Sequence, residues 1–198
     1  MFTGLLDLVS FGFFFIKSFA KLYEKGAFVL PEDEDAAALY ALTGEVCAER
    51  GLSAYEVSNY AVPGAESRHN LVYWRYGDYA GVGPGAHGRI TADGVRLATR
   101  AFRMPGEWLE KVEREGQGLE AREEIAPAEQ GDEMMLMGLR LSEGVSFSRH
   151  ARISGTALSP SRIETLAAEG LLACDGDIIR ATAEGRMVLD ALLAKLLA

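Results

Sequence analysis

Apolar positions at helical spacing open the interpretable part of the chain. Leu39, Leu42 and Val46 recur at intervals of three and four after the acidic run PEDED, which suits the first turn of a helix. The pattern predicts a helix over about 33–50. Residues 54–60 then indicate a short strand, and helix followed by strand is the order that builds parallel sheets. We therefore predict a β/α unit here.

The middle of the chain combines loop-forming, aromatic and glycine residues. Residues 61–70 indicate a loop, and an aromatic cluster follows that we expect to line a pocket. Its members are Tyr73, Trp74, Tyr76 and Tyr79. Four glycines then fall within residues 81–88. An Asp-Gly pair inside residues 90–97 predicts a tight β-hairpin between extended runs.

Helices dominate the predicted structure of the remaining residues. Apolar spacing predicts helices over about 106–116 and 129–141, with a polar linker and domain boundary at 118–127. The final stretch predicts a helix, a second helix, a β-hairpin and a closing helix, which is a winged-helix-like order. These four elements span about 146–153, 159–170, 171–182 and 183–197. The predicted fold class is α/β, with a mainly helical C-terminal domain over 128–198.

Residues 1–18 form an atypical apolar start. They lack a basic flank, carry Asp7, and the apolar run 1–16 falls short of the roughly 20 residues of a membrane span. They indicate neither a signal peptide nor a transmembrane helix. Two interpretations stay open: a non-native start from a truncated or frame-shifted reading frame, or a buried core segment.

The charge balance argues against a nucleic-acid partner. Twenty Lys and Arg against twenty-nine Asp and Glu give a formal net charge of -9, which repels polyanions. Winged-helix domains often bind DNA, but residues 140–198 hold seven basic and seven acidic side chains and no basic stripe. A packing or partner-docking role is the better interpretation of this region. A DNA-binding regulator is the alternative.

The cysteine count limits the metal chemistry of the chain. Cys47 and Cys174 are its two cysteines, and their wide separation shows neither a disulfide framework nor a metal-ligand cluster. By itself the chain cannot hold an iron-sulfur cluster on three or four thiolates. A reducing cytoplasm is the expected location.

His69 is the candidate ligand for a metal centre. It is followed by Asn70, Tyr73 and Trp74, so a titratable imidazole lies close in sequence to flat aromatic surface. This combination suits a planar ligand with a metal at its centre. The alternative is a hydrogen-bonding surface histidine, since no second ligand occurs at a fixed spacing. No nucleophile, base and orienting residue stand together, so a hydrolase is disfavoured.

The glycine run at 81–88 supports two interpretations. It is neither a Walker loop nor a dinucleotide-binding fingerprint, because no Gly-Lys-Ser/Thr follows and a hairpin, not a long helix, comes next. The backbone could approach a ligand closely. It could equally form a β-bulge or pack tightly at a sheet edge.

Three segments carry a resemblance to a known family. They are GLSAYEVSNYA at 51–61, SRHNLVYW at 67–74 and GVGPGAHG at 81–88. In this order they strongly resemble the HemW-like haem chaperones, which are radical-SAM proteins related to oxygen-independent coproporphyrinogen III oxidase. The likeness covers about residues 19–198, and its His-Asn-x-x-Tyr-Trp motif is highly specific.

The resemblance implies an architecture and two sets of ligand-binding residues. Residues 19–117 would be the last β/α units of an incomplete radical-SAM barrel plus a β-hairpin, and 128–198 the family's C-terminal domain. The motif tied to haem binding in the family maps to His69, Asn70, Tyr73 and Trp74, with His69 as the metal ligand. The glycine-rich strand end would face S-adenosylmethionine and maps, residue by residue, to Gly81, Gly83, Gly85 and Ala86.

The chain also departs from the family pattern. The Cys-x3-Cys-x2-Cys loop that holds a [4Fe-4S] cluster has no counterpart here, and residues 1–18 do not resemble the family. We therefore expect a fragment that binds haem, is not catalytic by itself, and has haem and a haem-accepting apoprotein as partners, with at most peripheral membrane contact. The alternative is part of an oxygen-independent coproporphyrinogen oxidase-type oxidoreductase of porphyrin biosynthesis.

Overall fold

The computed structural model describes residues 22–27 and 29–198. The predictions for residues 1–18 therefore lie outside the described residues. The chain divides into two compact units, Met1–Thr43 and Gly44–Ala198. The second unit holds every element introduced below after the first helix.

Helix α1 spans Asp33–Glu49 and confirms the helix predicted over 33–50. Its first turn carries Asp33, Glu34 and Asp35, whose carboxylates favour the positive end of the helix dipole. Its apolar stripe was predicted to pack, but no residue of α1 is buried in the part of the chain that the structure describes. Leu39 and Leu42 are more than half exposed.

The first sheet is an antiparallel pair of β1 (Ser53–Glu56) and β2 (Asn59–Ala61). The strand predicted at 54–60 is thus split by a turn, and its two halves pair with each other. A short turn is enough to pair two antiparallel strands, whereas a parallel pair needs a long crossover connection. Every pairing between named strands of the described residues is antiparallel, so the parallel pairing expected of a β/α unit is not found there.

The second sheet has the order β3-β4-β5. Strands β3 (His87–Ala92) and β4 (Val95–Ala101) form the predicted hairpin, whose Asp93 and Gly94 both have positive φ as a two-residue type I′ turn requires. The third strand, β5 (Leu119–Glu124), lies inside the segment predicted as a linker. The segment is therefore not a linker, because β5 pairs with β4. The domain boundary at 118–127 stays a prediction.

Two helices flank the strands of this sheet in sequence. Helix α2 spans Arg68–Trp74 and precedes β3, and α3 spans Pro105–Glu115 between β4 and β5. Helix α3 confirms the helix predicted over 106–116. It has Pro105 at its first position and ends at Gly116, whose φ of 74° suits a left-handed cap.

The C-terminal region is winged-helix-like, as predicted. Its elements are α4 (Pro127–Gly138), β6 (Val145–Ser146), α5 (Phe147–Ser154), α6 (Pro160–Ala168), β7 (Leu172–Asp175), β8 (Ile178–Ala181), α7 (Ala183–Met187) and α8 (Leu189–Leu197). The three strands form an antiparallel sheet of order β6-β8-β7. The closing helix, predicted as one element over 183–197, is broken at Val188.

The hydrophobic core lies in this region. Among the largest fully buried side chains, seven are apolar: Met134, Met135, Leu139, Leu166, Ile179, Leu192 and Leu196. The two buried methionines of α4, Met134 and Met135, are therefore packing residues. In the part of the chain that the structure describes, no helix combines the length and apolar character needed to cross a bilayer.

Candidate functional site

Helix α2 carries the His69–Trp74 motif. It begins after Ser67, whose hydroxyl oxygen accepts a hydrogen bond from the backbone N–H of Asn70 at 3.3 Å. This cap satisfies one of the free amide groups at the helix start. The loop before α2 therefore fixes where the motif residues begin.

His69 and Tyr73 form a pair on one face of α2. They are four residues apart, so their side chains meet along the helix surface. The Tyr73 hydroxyl lies 2.9 Å from Nε2 of His69 in a hydrogen bond, and the two rings meet edge to face with centroids 4.7 Å apart. His69 is exposed and Tyr73 is half-buried. The Tyr79 ring packs against Tyr73 at 4.3 Å.

Asn70 and Trp74 make contacts that fix α2 in the protein. Nδ2 of Asn70 donates a hydrogen bond to the Tyr55 hydroxyl at 3.2 Å, which joins α2 to β1. The guanidinium of Arg140 lies over the Trp74 ring, 4.5 Å from its centre, in a cation–π contact. Trp74 follows His69 by five residues, a rotation of roughly 140° around the helix, so the two do not share a face.

Glu56 holds Arg140 in its position over the Trp74 ring. Its side chain is fully buried and accepts hydrogen bonds from the backbone N–H of Ser58 at 2.8 Å and from Asn59 Nδ2 at 2.5 Å. Its other oxygen accepts from Arg140 Nη2 at 3.2 Å. Glu56 thus holds the turn between β1 and β2 and positions the cation that covers Trp74.

The predicted glycine-rich site has a visible structural role. Gly83 and Gly85 have φ of 108° and 70°, values that other residues rarely adopt. A side chain on Gly81 would collide with the backbone of His87. Ala86 accepts a hydrogen bond from the Ala101 amide at 2.8 Å and so extends the hairpin pairing. These contacts fit the interpretation as tight packing at a sheet edge.

A second cluster, which the sequence did not reveal, joins β3 to α4. Arg89 contacts both carboxylate oxygens of Glu133, and the Tyr76 hydroxyl donates to Glu133 at 2.9 Å. Arg96 lies over the Tyr76 ring at 4.0 Å and pairs with Asp78. Burial, together with the negative charge of Glu133, raises the pKa of Tyr76. The phenol therefore stays protonated and donates to the carboxylate.

The cavity beside Trp74 is too small for a planar macrocycle. It has a volume of about 70 Å³ and is lined in part by Trp74, Met134, Gly138, Val145 and Arg149. Pockets that enclose small-molecule ligands measure about 300–1,000 Å³. Among the described residues, no group of three His, Cys, Asp or Glu side chains is arranged to hold a metal ion. His69 does not line this cavity and is itself exposed, so a macrocycle bound to it would lie on the surface.

Comparison with known proteins identifies one domain family and several relatives. Residues 125–188 match the family model described as the HemN C-terminal domain. A Bos taurus relative, described as radical S-adenosyl methionine domain-containing protein 1, mitochondrial, is 36% identical over 184 residues. The protein described as heme chaperone HemW in Bacillus subtilis is 34% identical over 173 residues. Residues 125–188 thus belong to the HemN C-terminal domain family, and most of the chain is similar to HemW-like radical-SAM proteins.

The match extends over most of the chain but less than half of each relative. It covers 88% of this chain and 42% of the Bos taurus protein, and 86% of this chain and 45% of the Bacillus subtilis protein. A solved structure titled as coproporphyrinogen III oxidase (HemN) from Escherichia coli matches 82% of this chain and 39% of that one, with 15% identity and a TM-score of 0.48. The sequence matches to these relatives confirm the predicted resemblance.

Proposed function

We propose that this HemW-like chain binds haem on the exposed face of α2 and passes it to an apoprotein. The observation that carries the proposal is the His69–Tyr73 pair, an exposed imidazole beside a flat aromatic ring on one helix face. Imidazole nitrogen is a common axial ligand of haem iron, and aromatic rings offer apolar surface to a porphyrin. The relative described as a heme chaperone supports the same role.

The geometry suits a carrier. A haem held at His69 would lie against the protein surface, because His69 is exposed. A ligand that stays partly exposed can be reached by a recipient without opening the protein core. Shallow binding of this kind favours transfer over permanent storage.

Asn70 and Trp74 complete the proposed haem site by positioning it. Their contacts with Tyr55 and Arg140 fix the helix on which His69 stands. The sequence predicted Trp74 as a wall of the haem site. We propose instead that Trp74 holds the helix in place through its contact with Arg140. Haem contact by Asn70 or Trp74 remains a prediction from the family resemblance.

The glycine segment belongs to the second part of the proposal. We propose that Gly81, Gly83, Gly85 and Ala86 border an S-adenosylmethionine pocket when the remaining strands of a radical-SAM barrel are present. With two cysteines, Cys47 and Cys174, this chain does not supply the thiolates of a [4Fe-4S] cluster. We therefore propose that the chain is not catalytic by itself. We also propose that it works in the cytoplasm, touches membranes at most peripherally, and does not bind nucleic acid.

A transfer assay tests the chaperone role. The purified chain is loaded with ferric haem, separated from free haem, and mixed with apomyoglobin as the acceptor. The proposal predicts that the Soret band of the chain saturates at one haem. After apomyoglobin is added, this band should be replaced by the Soret band of haem-loaded myoglobin. Retention of haem by the chain would contradict a carrier role. Failure to saturate at one equivalent would contradict a specific site.

A further inference from the structure

The hydrogen bond between Tyr73 and His69 occupies the nitrogen that iron would need. It joins the Tyr73 hydroxyl to Nε2 of the imidazole at 2.9 Å. We propose that Tyr73 gates the haem site: its hydroxyl competes with iron for Nε2 of His69, so that haem binds only when this hydrogen bond opens. The inference rests on the proposed function and adds a residue that controls haem affinity.

Steric reasoning favours Nε2 as the nitrogen that meets iron. Nδ1 lies next to the carbon that bears the side chain, so a porphyrin centred on it would run into the helix backbone. Nε2 points away from the backbone and leaves room for a wide planar ligand. The nitrogen best placed for iron is therefore the one that Tyr73 holds.

The helix geometry makes this competition local and reversible. His69 and Tyr73 stand one turn apart on α2, and their rings already meet edge to face, so a small rotation of Tyr73 frees the nitrogen. The Tyr79 ring packs against Tyr73 and limits how far it can turn. In the open state the Tyr73 ring can still contact the porphyrin, while its hydroxyl turns to solvent.

The expected consequence is that haem binds more weakly and is released faster. A hydrogen bond of this kind contributes about 0.5–1.5 kcal/mol net, so its competition lowers haem affinity by roughly two- to tenfold. Weakened affinity suits a carrier that must release its ligand. Removal of the hydroxyl while the ring is kept should convert the chain into a tighter haem binder.

The experiment compares ferric haem titrations of the native chain, Tyr73→Phe, Tyr79→Phe and His69→Ala, each followed by the Soret band. Tyr73→Phe keeps the half-buried ring and removes only the hydroxyl of an exposed hydrogen bond, so we expect the fold to be kept. Tyr79→Phe is the matched control, because it removes a hydroxyl from the same cluster but not the one bound to His69. Tyr73→Phe should bind haem about two- to tenfold more tightly than the native chain and release it more slowly to apomyoglobin. Tyr79→Phe should bind and release haem as the native chain does.

Three other outcomes separate the gate from the proposed function. If His69→Ala loses the native band but Tyr73→Phe binds as the native chain does, the gate is wrong and the haem site stands. If Tyr73→Phe binds more weakly, the Tyr73 oxygen helps to hold haem, which also overturns the gate. If none of the four proteins saturates at one equivalent, the proposed function itself fails.

Discussion

Arg89 of β3 and Glu133 of α4 form a salt bridge with atoms 2.8 Å apart, and both side chains are only about one-seventh exposed at 15% and 13%. It joins the second sheet to the C-terminal region that matches the family model. Glu133→Gln leaves the Arg89 charge poorly solvated and without its partner. We expect it to lower the free energy of unfolding by roughly 3 kcal/mol, measured by urea denaturation.

Glu143→Gln is the control for that substitution. Glu143 makes two contacts with Arg75, but both side chains are about half exposed. Water and salt screen such a pair, so the expected loss is about 1 kcal/mol or less. Equal losses in the two variants would show that the Arg89–Glu133 pair is not a special link between β3 and α4.

The structural role of the glycine segment is tested at Gly81. An alanine there would place its methyl group against the His87 backbone, which cannot move without disturbing β3. We expect Gly81→Ala to lower the free energy of unfolding by about 1–3 kcal/mol, measured by thermal denaturation. Gly106→Ala is the control, since an added methyl group meets nothing within 4 Å in α3. Full stability of Gly81→Ala would contradict the close packing described here.

Glu56 should control the environment of Trp74. Glu56→Gln keeps the shape of the side chain but removes the charge that holds Arg140 over the indole. We expect a loss of roughly 2 kcal/mol in the free energy of unfolding and a changed tryptophan emission spectrum. Trp108→Phe in both proteins isolates the signal of Trp74. An unchanged Trp74 spectrum would show that Glu56 does not position Arg140.

Much of the fold could be predicted because its signals are local. Asp93-Gly94 specifies the hairpin turn, and Pro160 marks a helix start that Ser159 precedes, as observed. Strand β5 was missed because four of its six residues are charged, which suits an edge strand with an exposed face but reads as linker. The break at Val188, whose φ of −122° and ψ of 32° leave the helical region, was missed because that position holds neither proline nor glycine.

The site was predictable only in part. The sequence named His69 and Tyr73 but indicated a loop at 61–70, so the helix Arg68–Trp74 that brings their rings together was not predicted. Glu56 and Arg140 stand 84 positions apart, and Arg89 and Glu133 stand 44 apart. No local pattern pairs residues at such distances, because the fold alone brings them together. These two long-range pairs were therefore found only in the structure.

Stability should fall in mild acid because of His150. Burial lowers the pKa of this side chain below its ordinary value of 6.5, although the nearby Asp132 charge opposes the shift. The unfolded chain therefore takes up a proton first as the pH falls, and the contribution of neutral His150 to stability is lost below about pH 6.5. His150→Asn should flatten the dependence of the unfolding free energy on pH between about pH 8 and 5.5.

Asp132 contributes with the opposite sign. Burial raises the pKa of its carboxyl above the ordinary value of 3.8, so protonation of Asp132 as the pH falls favours the folded state. Urea denaturation at each pH supplies the unfolding free energies. The same slope in the native chain and His150→Asn would contradict the assignment to His150.

The most direct test of the central claim is a ferric haem titration of the native chain beside His69→Ala and His87→Ala. His87 begins β3 and has no proposed part in haem binding, so it controls for loss of a histidine. The account predicts a Soret band that saturates at one haem in the native chain and His87→Ala, and is lost or shifted in His69→Ala. Haem binding that does not depend on His69 would contradict the proposed site.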